Sequence, residues 1–556
     1  MRKWHANPWA VLLTLSLGFF MTLLDLTIVN IAIPSLIDQL HASLDQVLWV
    51  VNGYVLVLAV LLITAGRLGD VFGQRNVFIV GVALFTLASL ACGVSQSPGE
   101  LIAARLVQGL GAAALMPQTM ALIIATFPAD RRGTALGVWG AVAGLSTVAG
   151  PTLGGLLITA FSWRWIFFIN LPVGLVVLVA SVLFLPGLRV GRRHQLDWVG
   201  VGLVSAALFC LSFALTEGER YHWDGWIWAL FAAGLVLVAG FLVQQRRAQS
   251  GEPLVPFVLF RDRNFTVMSG VGAAVSAGVI GFFIPITIFL QSVLGFSALK
   301  AGLVLAPASL VSMVVAPFAG RLSDRIGGVS ILLAGLVMFA AGAGWVGAVS
   351  SPGMAWSPLL APLVVMGAGM GCAFAPMATE AMRGVPPRLA GAASGVNNTL
   401  RQIGSVIGSA AVGALLQSRL ATALTSEAVT RAGELPAGAR VSFVAGFRDA
   451  AGGGLQVGAG QSGAAQHLPQ GTPAAVVAQV QKVGAAVFEH GYVTAMRTTL
   501  VLPVTVVLLG ALACLTVLRR RPTPAGGHDG AGPATGHVPT QPSDGPRPGA
   551  AGGPVR

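Results

Sequence analysis

The chain has 556 residues, of which 55% are hydrophobic and only 10% are charged. Soluble globular proteins carry about 25% charged residues, and the mean hydropathy of this chain is +0.80. This composition argues against a soluble enzyme or a nucleic-acid-binding domain, because too few polar side chains are available to cover a water-facing surface. The net charge of +13 must therefore be explained in another way.

Long apolar runs dominate the sequence. A helix that crosses a bilayer needs roughly 20 apolar residues, whereas strands of a membrane barrel alternate over about ten residues. Fourteen runs meet the helix criterion, so the sequence predicts an all-α integral membrane protein with 14 transmembrane helices. The predicted spans are 10–34, 46–66, 77–96, 101–127, 134–160, 165–186, 197–216, 226–244, 265–290, 299–319, 329–350, 357–380, 391–417 and 497–518.

The basic residues are distributed unevenly between the loops. With the N-terminus placed in the cytoplasm, the inside segments carry twenty-two of the 33 lysines and arginines, and the six short outside loops carry three. Cytoplasmic loops of membrane proteins are enriched in these residues. The distribution predicts that both termini are cytoplasmic, and it accounts for the basic balance without nucleic acid.

An octapeptide occurs twice. GRLGDVFG at 66–73 recurs as GRLSDRIG at 320–327, an offset of 254. The same offset maps Gly150 and Gly154 onto Gly404 and Gly408, and it maps the start of span 1 onto the start of span 9. Because both copies face the same side, the repeat is parallel, as in transporters built from two six-helix halves with a site between them.

The repeat divides the chain into four predicted parts. Residues 1–196 form an N-terminal six-helix half, and 197–262 form two inserted helices and a cytoplasmic linker. Residues 263–518 form a C-terminal six-helix half that includes one long external loop at 418–496, whose end at 474–488 is mildly helical. Residues 519–556 are rich in Gly and Pro, so we expect a disordered cytoplasmic tail.

Asp25 is the most conspicuous polar residue of the predicted spans. It lies about fifteen residues into span 1, roughly 22 Å along a helix. An ionisable group at that depth is costly and usually faces a cavity or a partner. Because burial disfavours the anion, one interpretation is a carboxyl that binds and releases a proton. The alternative is a carboxylate permanently paired with an arginine or with backbone donors.

Arg105 in span 4 and Arg401 in span 13 are the deeply placed cations. Either could face Asp25 across the interior, or could extend from a span end to the interface. Arg401 stands among Asn397, Asn398 and Gln402, a polar stripe that predicts an interior face and not a lipid-facing one.

The loop between spans 2 and 3 suggests a conformational latch. Asp70 stands near the start of span 3, where the positive end of a helix favours a carboxylate, and Arg67 and Arg75 can pair with it. The alternative is a charged turn that only fixes topology, but the recurrence at Asp324 favours the latch. The predicted latch residues are Gly66, Arg67, Asp70, Gly73, Arg75 and Asp324.

Span 5 is rich in small residues that allow helices to approach closely. Gly150, Pro151, Gly154 and Gly155 are consistent with a bending gate helix or with an ordinary packing face. Candidates for the lining of a substrate cavity are Asn30, Tyr54, Gln291, Asn397 and Arg401.

Sequence signals for bound cofactors and for catalysis are missing. GxSxG and GxxxxGK[ST] are both absent, and the four cysteines lack metal-ligand spacing. We expect no enzyme activity, no metal and no cofactor.

Five motifs carry a family resemblance. The chain resembles the fourteen-span drug:proton antiporters of the major facilitator superfamily, the EmrB/QacA type, over about residues 10–417 and 497–518. One departure is Ser146, where the span-5 motif of the family commonly has Gly. The matching segments are LDLTIVNIAIP at 24–34, the loop at 66–75, RLVQGLG at 105–111, GPTLGG at 150–155 and WRWIFFINLP at 163–172.

The resemblance implies that Asp25 and Arg105 take part in proton coupling, that Asp70 latches the cytoplasmic side and that span 5 supports exchange. The expected protein exports hydrophobic, cationic drugs or toxic compounds across the bacterial cytoplasmic membrane by alternating access, driven by the proton gradient. Alternatives are a dedicated exporter of an endogenous metabolite, antibiotic, siderophore or lipid, an importer, or a membrane sensor that does not transport. Use of a periplasmic adaptor stays open.

Overall fold

The structure is a computed structural model that describes residues 7–42, 44–128, 131–187, 197–218, 221, 223–249, 253–386, 389–452 and 473–518. These residues are almost entirely helical, and no strand occurs among them. The predicted cytoplasmic tail at 519–556 lies outside the described residues. Up to Leu518 the chain forms one compact unit.

Nineteen α-helices lie within the described residues. In chain order they are α1 (Pro8–Ile28), α2 (Ile33–Leu40), α3 (Leu44–Phe72), α4 (Gln74–Val94), α5 (Pro98–Thr126), α6 (Arg132–Ala160), α7 (Trp165–Phe168), α8 (Asn170–Phe184), α9 (Trp198–Glu217), α10 (Gly225–Ala248), α11 (Val258–Arg261), α12 (Arg263–Ile288), α13 (Ala298–Ile326), α14 (Gly328–Val349), α15 (Leu360–Met382), α16 (Ala390–Arg431), α17 (Ala437–Gly452), α18 (Ala474–Thr499) and α19 (Val501–Leu518).

Short polar side chains fix the starts of several long helices. Ser97 precedes α5 and accepts the N–H of Glu100 at 3.3 Å, and Asp262 precedes α12 and accepts the N–H of Phe265 at 3.1 Å. Such caps satisfy backbone donors that have no partner within the helix. In a bilayer every backbone group must be satisfied internally, so these residues help to determine where each span begins.

The predicted membrane spans correspond closely to the helices. Thirteen helical segments of the described residues are long and apolar enough to cross a membrane, and the last of them joins α18 to α19. The remaining predicted run, 134–160, coincides with the 29-residue helix α6. The prediction of an all-α membrane protein is confirmed.

Equivalent helices of the repeat pack in equivalent ways. In the N-terminal half α6 packs against α1, and a Cβ placed on Gly154 would lie 2.9 Å from Ile28 Cγ1. In the C-terminal half α16 packs against α12, and a Cβ on Gly408 would lie 2.5 Å from Ala277 Cα. Small residues at the same repeat positions therefore bring two helices into close contact in each half.

The region expected to be one external loop, 418–496, is largely helical in its described part. Helix α16 runs on to Arg431, α17 spans Ala437–Gly452, and α18 begins at Ala474; residues 453–472 lie outside the described residues. The expectation of a loop was wrong for 418–452, because these helices contain fewer apolar residues than a membrane span. The helical end expected at 474–488 is present as part of α18. The buried apolar side chains of these helices nevertheless recur at helical spacing: Leu416, Leu420, Leu424 and Ala428 on α16, and Val480, Val483 and Val487 on α18.

Helix α17 completes this small helical assembly, and its core supplies a first prediction. Phe443 is completely buried and stacks edge to face with Phe447 at 5.1 Å. Removing a buried phenylalanine side chain typically costs about 3–5 kcal/mol, so we expect Phe443→Ala to unfold the assembly at a lower urea concentration. Pulse proteolysis of the purified full chain measures this as cleavage between residues 432 and 500 that begins at a lower urea concentration.

The same helix offers a matched control. Val441 is 80% exposed, so Val441→Ala is expected to change the stability by about 0.5 kcal/mol or less. Equal cleavage profiles for the two variants would contradict the packing described for α17.

Candidate functional site

A buried polar cluster surrounds Asp25 of α1. The Asp25 side chain is completely buried, and Arg105 Nη1 of α5 donates to its Oδ2. Gln108 Nε2 donates to the other carboxylate oxygen, Oδ1, at 3.0 Å, and Gln108 Oε1 accepts from Arg105 Nη1 at 2.7 Å. Arg105 and Gln108 share one helix face because they are three residues apart. The result is a desolvated ion pair held by charge-assisted hydrogen bonds.

Two neutral side chains from other helices complete the cluster. Ser89 Oγ of α4 accepts from Gln108 Nε2 at 3.2 Å and from Asn170 Nδ2 of α8 at 3.0 Å. Asn170 Nδ2 also reaches Asp25 Oδ1 at 3.5 Å. Neutral donors from α5 and α8 therefore hold the carboxyl in place together with the Arg105 cation, and Ser89 of α4 links the two amides.

Arg105 has further partners that do not depend on Asp25. Its Nε donates to the Val50 carbonyl oxygen at 3.0 Å, and its Cζ lies 4.3 Å from the centre of the Tyr54 ring. A guanidinium over an aromatic face is stabilised by the ring quadrupole. Arg105 is 1% exposed, so it does not extend to an interface. It can remain in place if the carboxyl gains a proton.

Tyr54 belongs to this cluster. Its side chain is completely buried, and its hydroxyl donates to the Thr22 carbonyl oxygen at 3.4 Å. The prediction placed Tyr54 on the lining of a substrate cavity, whereas the structure places it against Arg105.

Span 5 connects to the Asp25 helix. Thr27 Oγ1, two residues after Asp25, donates to the Ser146 carbonyl oxygen of α6 at 3.3 Å, and a Cβ on Gly150 would overlap Thr27 Oγ1. Gly155, in contrast, has open space on its Cβ side. Gly150 and Gly154 therefore form a packing face toward α1. The Pro151 side chain lies outside the description.

The Asp70 carboxylate caps a helix of the opposite half. It accepts the N–H groups of Gly391 at 3.0 Å and Ala392 at 2.8 Å, in the first turn of α16. Arg67 Nη1 lies 3.9 Å from Asp70 Oδ2. A carboxylate at this position satisfies free backbone donors and complements the positive end of the helix. Next to it, a Cβ on Gly66 would lie 2.5 Å from the Gly391 carbonyl oxygen.

Asp324 makes the equivalent contact in the other direction. It accepts the N–H groups of Gly133 at 2.8 Å and Thr134 at 2.9 Å, in the first turn of α6, and the Thr134 hydroxyl at 3.0 Å. A Cβ on Gly320 would overlap the Gly133 carbonyl oxygen. Two reciprocal caps thus join the halves at the end predicted to be cytoplasmic, and this end is closed.

The remaining predicted latch residues differ in their positions. Gly73 and Gly327, at equivalent repeat positions, have φ of 89° and 94°, a region in which other residues are strained, and they let the chain turn directly into α4 and α14. Arg75 was expected to pair with Asp70, but its Nη2 donates to the Val182 carbonyl oxygen at 2.8 Å. Its half-buried side chain therefore bonds to α8 and not to the latch acid.

The candidates for the cavity lining do not come together. Gln291 is exposed in the π-helical turn Phe289–Val293 that follows α12, and Asn397 is 3% exposed. The Asn30 side chain lies outside the description. Arg401 of α16 does not pair with Asp25, because Arg105 already binds that carboxylate. The Arg401 Cζ lies instead 5.4 Å from the centre of the Phe374 ring.

Gln108, Ser89 and Asn170 were not singled out as site residues from the sequence. Gln108 and Asn170 carried a usable signal, because both stand in motifs that resemble the family. Ser89 carried none, since a serine in an apolar span commonly bonds to its own backbone.

A buried acid at the edge of the inserted helices was also missed. Glu217, at the end of α9, is 3% exposed and accepts from Asn52 Nδ2 of α3 at 3.3 Å. It lines a small crevice between α3, α9 and α16 together with Trp49 and Phe213. It lies at the end of its span, and a charged residue at a span end has no distinctive signature in the sequence.

Comparisons with known proteins agree with this architecture. Residues 15–409 match the model of the Major Facilitator Superfamily. The chain is 37% identical over 419 residues to the tetracenomycin C resistance and export protein of Streptomyces glaucescens, covering 75% of this chain and 77% of the relative. It is 36% identical over 419 residues to the multidrug resistance protein Stp of Mycobacterium tuberculosis, covering 74% and 76%.

The fold is also similar to a solved structure. The human organic anion transporter MFSD10 aligns with a TM-score of 0.55 and 14% sequence identity, over 90% of this chain and 99% of that one. This likeness concerns the fold alone. The helices long and apolar enough to cross a membrane show a multi-pass membrane protein, and the family match over residues 15–409 shows that the chain belongs to the major facilitator superfamily.

Proposed function

We propose that this protein is a proton-coupled exporter of hydrophobic drugs or toxic compounds that works by alternating access. The observation that carries the proposal is the completely buried Asp25–Arg105 pair inside a major facilitator chain. Ionisable pairs within membrane spans are costly and commonly form proton pathways. The drug-export and drug-resistance names of the two bacterial relatives support export as the direction of transport.

The proposed coupling follows from the contacts of Asp25. Protonation neutralises the carboxyl and weakens its charge-assisted bond to Arg105, which keeps Gln108 and the Val50 carbonyl as partners. Helix α1 is then less tightly held to α5 while it stays tied to α6 through Thr27. Movement of α1 and α6 relative to the other helices changes the contacts between the halves, because α6 begins at the Asp324 cap.

The cycle proposed here needs the two caps to open. With the caps formed, the end predicted to be cytoplasmic is closed and the substrate leaves toward the outside. When they break, the same end opens and admits the next substrate. We place the protein in the bacterial cytoplasmic membrane with both termini inside, driven by the proton gradient and without a cofactor or an obligatory adaptor.

A second candidate is a dedicated exporter of one compound made by the host cell. The relative from Streptomyces glaucescens favours it, because its name combines resistance with the export of a single compound. The two candidates share the same mechanism and differ only in the range of substrates.

The proposal is tested with inside-out vesicles that contain the protein. After acidification of the lumen, addition of a transported compound is expected to release protons, followed as recovery of the fluorescence of a quenched pH dye. Vesicles without the protein give the background. A broad panel that includes cell extracts separates the candidates, since several responding compounds indicate a multidrug exporter and one indicates a dedicated exporter. No response in any condition would contradict coupled export.

A further inference from the structure

Arg401 is a cation in the membrane interior that the contacts within the chain do not neutralise. It lies eleven residues after the start of α16, about 16 Å along the helix, close to the middle of a hydrocarbon core of roughly 30 Å. Its Nε is buried without a hydrogen-bond partner. No acidic side chain pairs with it within the described part of the chain.

Arg105, in contrast, is an arginine whose N–H donors have hydrogen-bond acceptors within the chain. It has a carboxylate, a glutamine and a carbonyl oxygen as acceptors. Arg401 has instead the Phe374 ring at 5.4 Å and an apolar wall: a Cβ on Gly272 would lie 3.2 Å from Arg401 Cγ and 3.5 Å from Met377 Sδ. The Arg401 side chain is half-buried and its Nε has no acceptor. A cation in this position is unfavourable, so an anionic acceptor from elsewhere would stabilise it.

The surroundings of Arg401 lie against the opposite half. Phe374 Cβ is 3.9 Å from the position of a Cβ on Gly140 of α6. On the same turn of α6, Trp139 stacks on Phe19 at 4.2 Å, and its indole Nε1 is also buried without a partner. Donors without acceptors and aromatic faces therefore occur on both sides of the contact between the halves.

We propose that Arg401 recognises an ionised acidic group, a carboxylate or phenolate, on an aromatic substrate. The guanidinium offers parallel N–H donors that match a carboxylate, and the neighbouring aromatic side chains contact the flat ring. The inference deepens the exporter proposal on which it rests, and it replaces the expected cationic substrate by an anionic one, since a cation would be repelled by Arg401.

The test uses three fluorescent probes that share one ring: 9-anthracenecarboxylate, 9-anthracenecarboxamide and 9-(aminomethyl)anthracene, which are anionic, neutral and cationic near neutral pH. Binding to the full chain in nanodiscs is measured by fluorescence anisotropy. We expect the carboxylate to bind at least about tenfold more tightly than the carboxamide, because hydrogen bonds to a charged group are stronger than neutral ones. Arg401→Gln is expected to remove that preference while changing carboxamide binding little.

Two variants guard against a loss of fold. Arg401→Lys keeps the charge without the planar donor pair and is expected to retain part of the preference. Arg419→Gln, on an exposed position of the same helix, is expected to bind all three probes as the wild type does. The inference is overturned if the carboxylate does not bind, if it binds no better than the other probes, or if Arg401→Gln retains the preference.

The outcome is separable from that of the exporter proposal. Gradient-driven export of the amine or carboxamide alone would leave the exporter standing and remove the anion site. Carboxylate binding that depends on Arg401, without proton release by any compound, would support the anion site and contradict the exporter proposal.

Discussion

Replacing Asp25 by asparagine is expected to reduce compound-triggered proton release to the level of vesicles without the protein. The amide cannot bind or release a proton in the physiological range, so no proton is carried in exchange. Exchange of labelled for unlabelled substrate in the absence of a gradient should persist, because it does not require proton transfer. Both activities are measured in the same vesicles, and full gradient-driven transport by Asp25→Asn would show that this role of Asp25 is wrong.

The variant also leaves the Arg105 charge without its counter-ion. Removing one partner of a buried ion pair costs about 3–5 kcal/mol, which by itself could impair the fold. The double variant Asp25→Asn/Arg105→Gln removes both charges, so we expect it to recover most of the thermal stability and to remain inactive in gradient-driven transport. Recovery of transport together with stability would indicate a purely structural pair.

Asp38 provides the matched control. It is an exposed carboxylate on α2, thirteen residues after Asp25, and Asp38→Asn is expected to leave coupled transport and stability unchanged. The control separates the loss of an acid in general from the loss of the buried one.

The second large effect concerns Gly320, at the contact between α13 and α6. In Gly320→Ala the new Cβ would overlap the Gly133 carbonyl oxygen, and neither backbone can yield without separating the helices. Overpacking of this kind typically costs about 1–3 kcal/mol. Because about 1.4 kcal/mol is a tenfold change in an equilibrium, this corresponds to a shift of roughly fivefold to 150-fold toward the conformation open at this end. Coupled transport should fall accordingly, because the closed conformation is needed in each cycle.

A cysteine placed at Ser394 reports this opening. The Ser394 hydroxyl is buried and donates to the Pro117 carbonyl oxygen of α5 at 2.9 Å, so it is shielded while the halves are in contact. In a background without the four native cysteines, Gly320→Ala should increase the rate at which an impermeant maleimide labels this position in inside-out vesicles. Gly344→Ala is the control, because a Cβ there would meet nothing within 4 Å, and it should leave the labelling rate unchanged. Equal labelling rates in the two variants would argue against the close contact at Gly320.

The positions of the membrane helices could be predicted from the sequence because each span needs a long apolar run, and that property is local. The equivalent roles of Asp70 and Asp324 in the two halves could partly be predicted, because their motif occurs twice on the same side of the membrane. Their acceptor role toward Gly391 and Gly133 was not, since a backbone N–H has no signature in the sequence.

Other features depended on long-range contacts. Arg105 and Asp25 are 80 residues apart, and only the resemblance favoured their pairing over a pairing with Arg401. Helix α17 and the end of α16 were not predicted, because their apolar faces are narrower than the apolar run of a membrane span. Such faces become buried only when α16, α17 and α18 lie together, which composition alone does not reveal.

The two caps at the closed end are built mainly on main-chain N–H groups, with the Thr134 hydroxyl as a further donor to Asp324. The chemistry of the capped residues is therefore largely free to vary during evolution, provided that they stay small enough for the helices to approach. Selection should act strongly on the two acids and on residue size at Gly133 and Gly391. In a saturation mutagenesis survey, we therefore expect transport to survive serine or alanine at some capped positions far better than glutamate in place of Asp70 or Asp324.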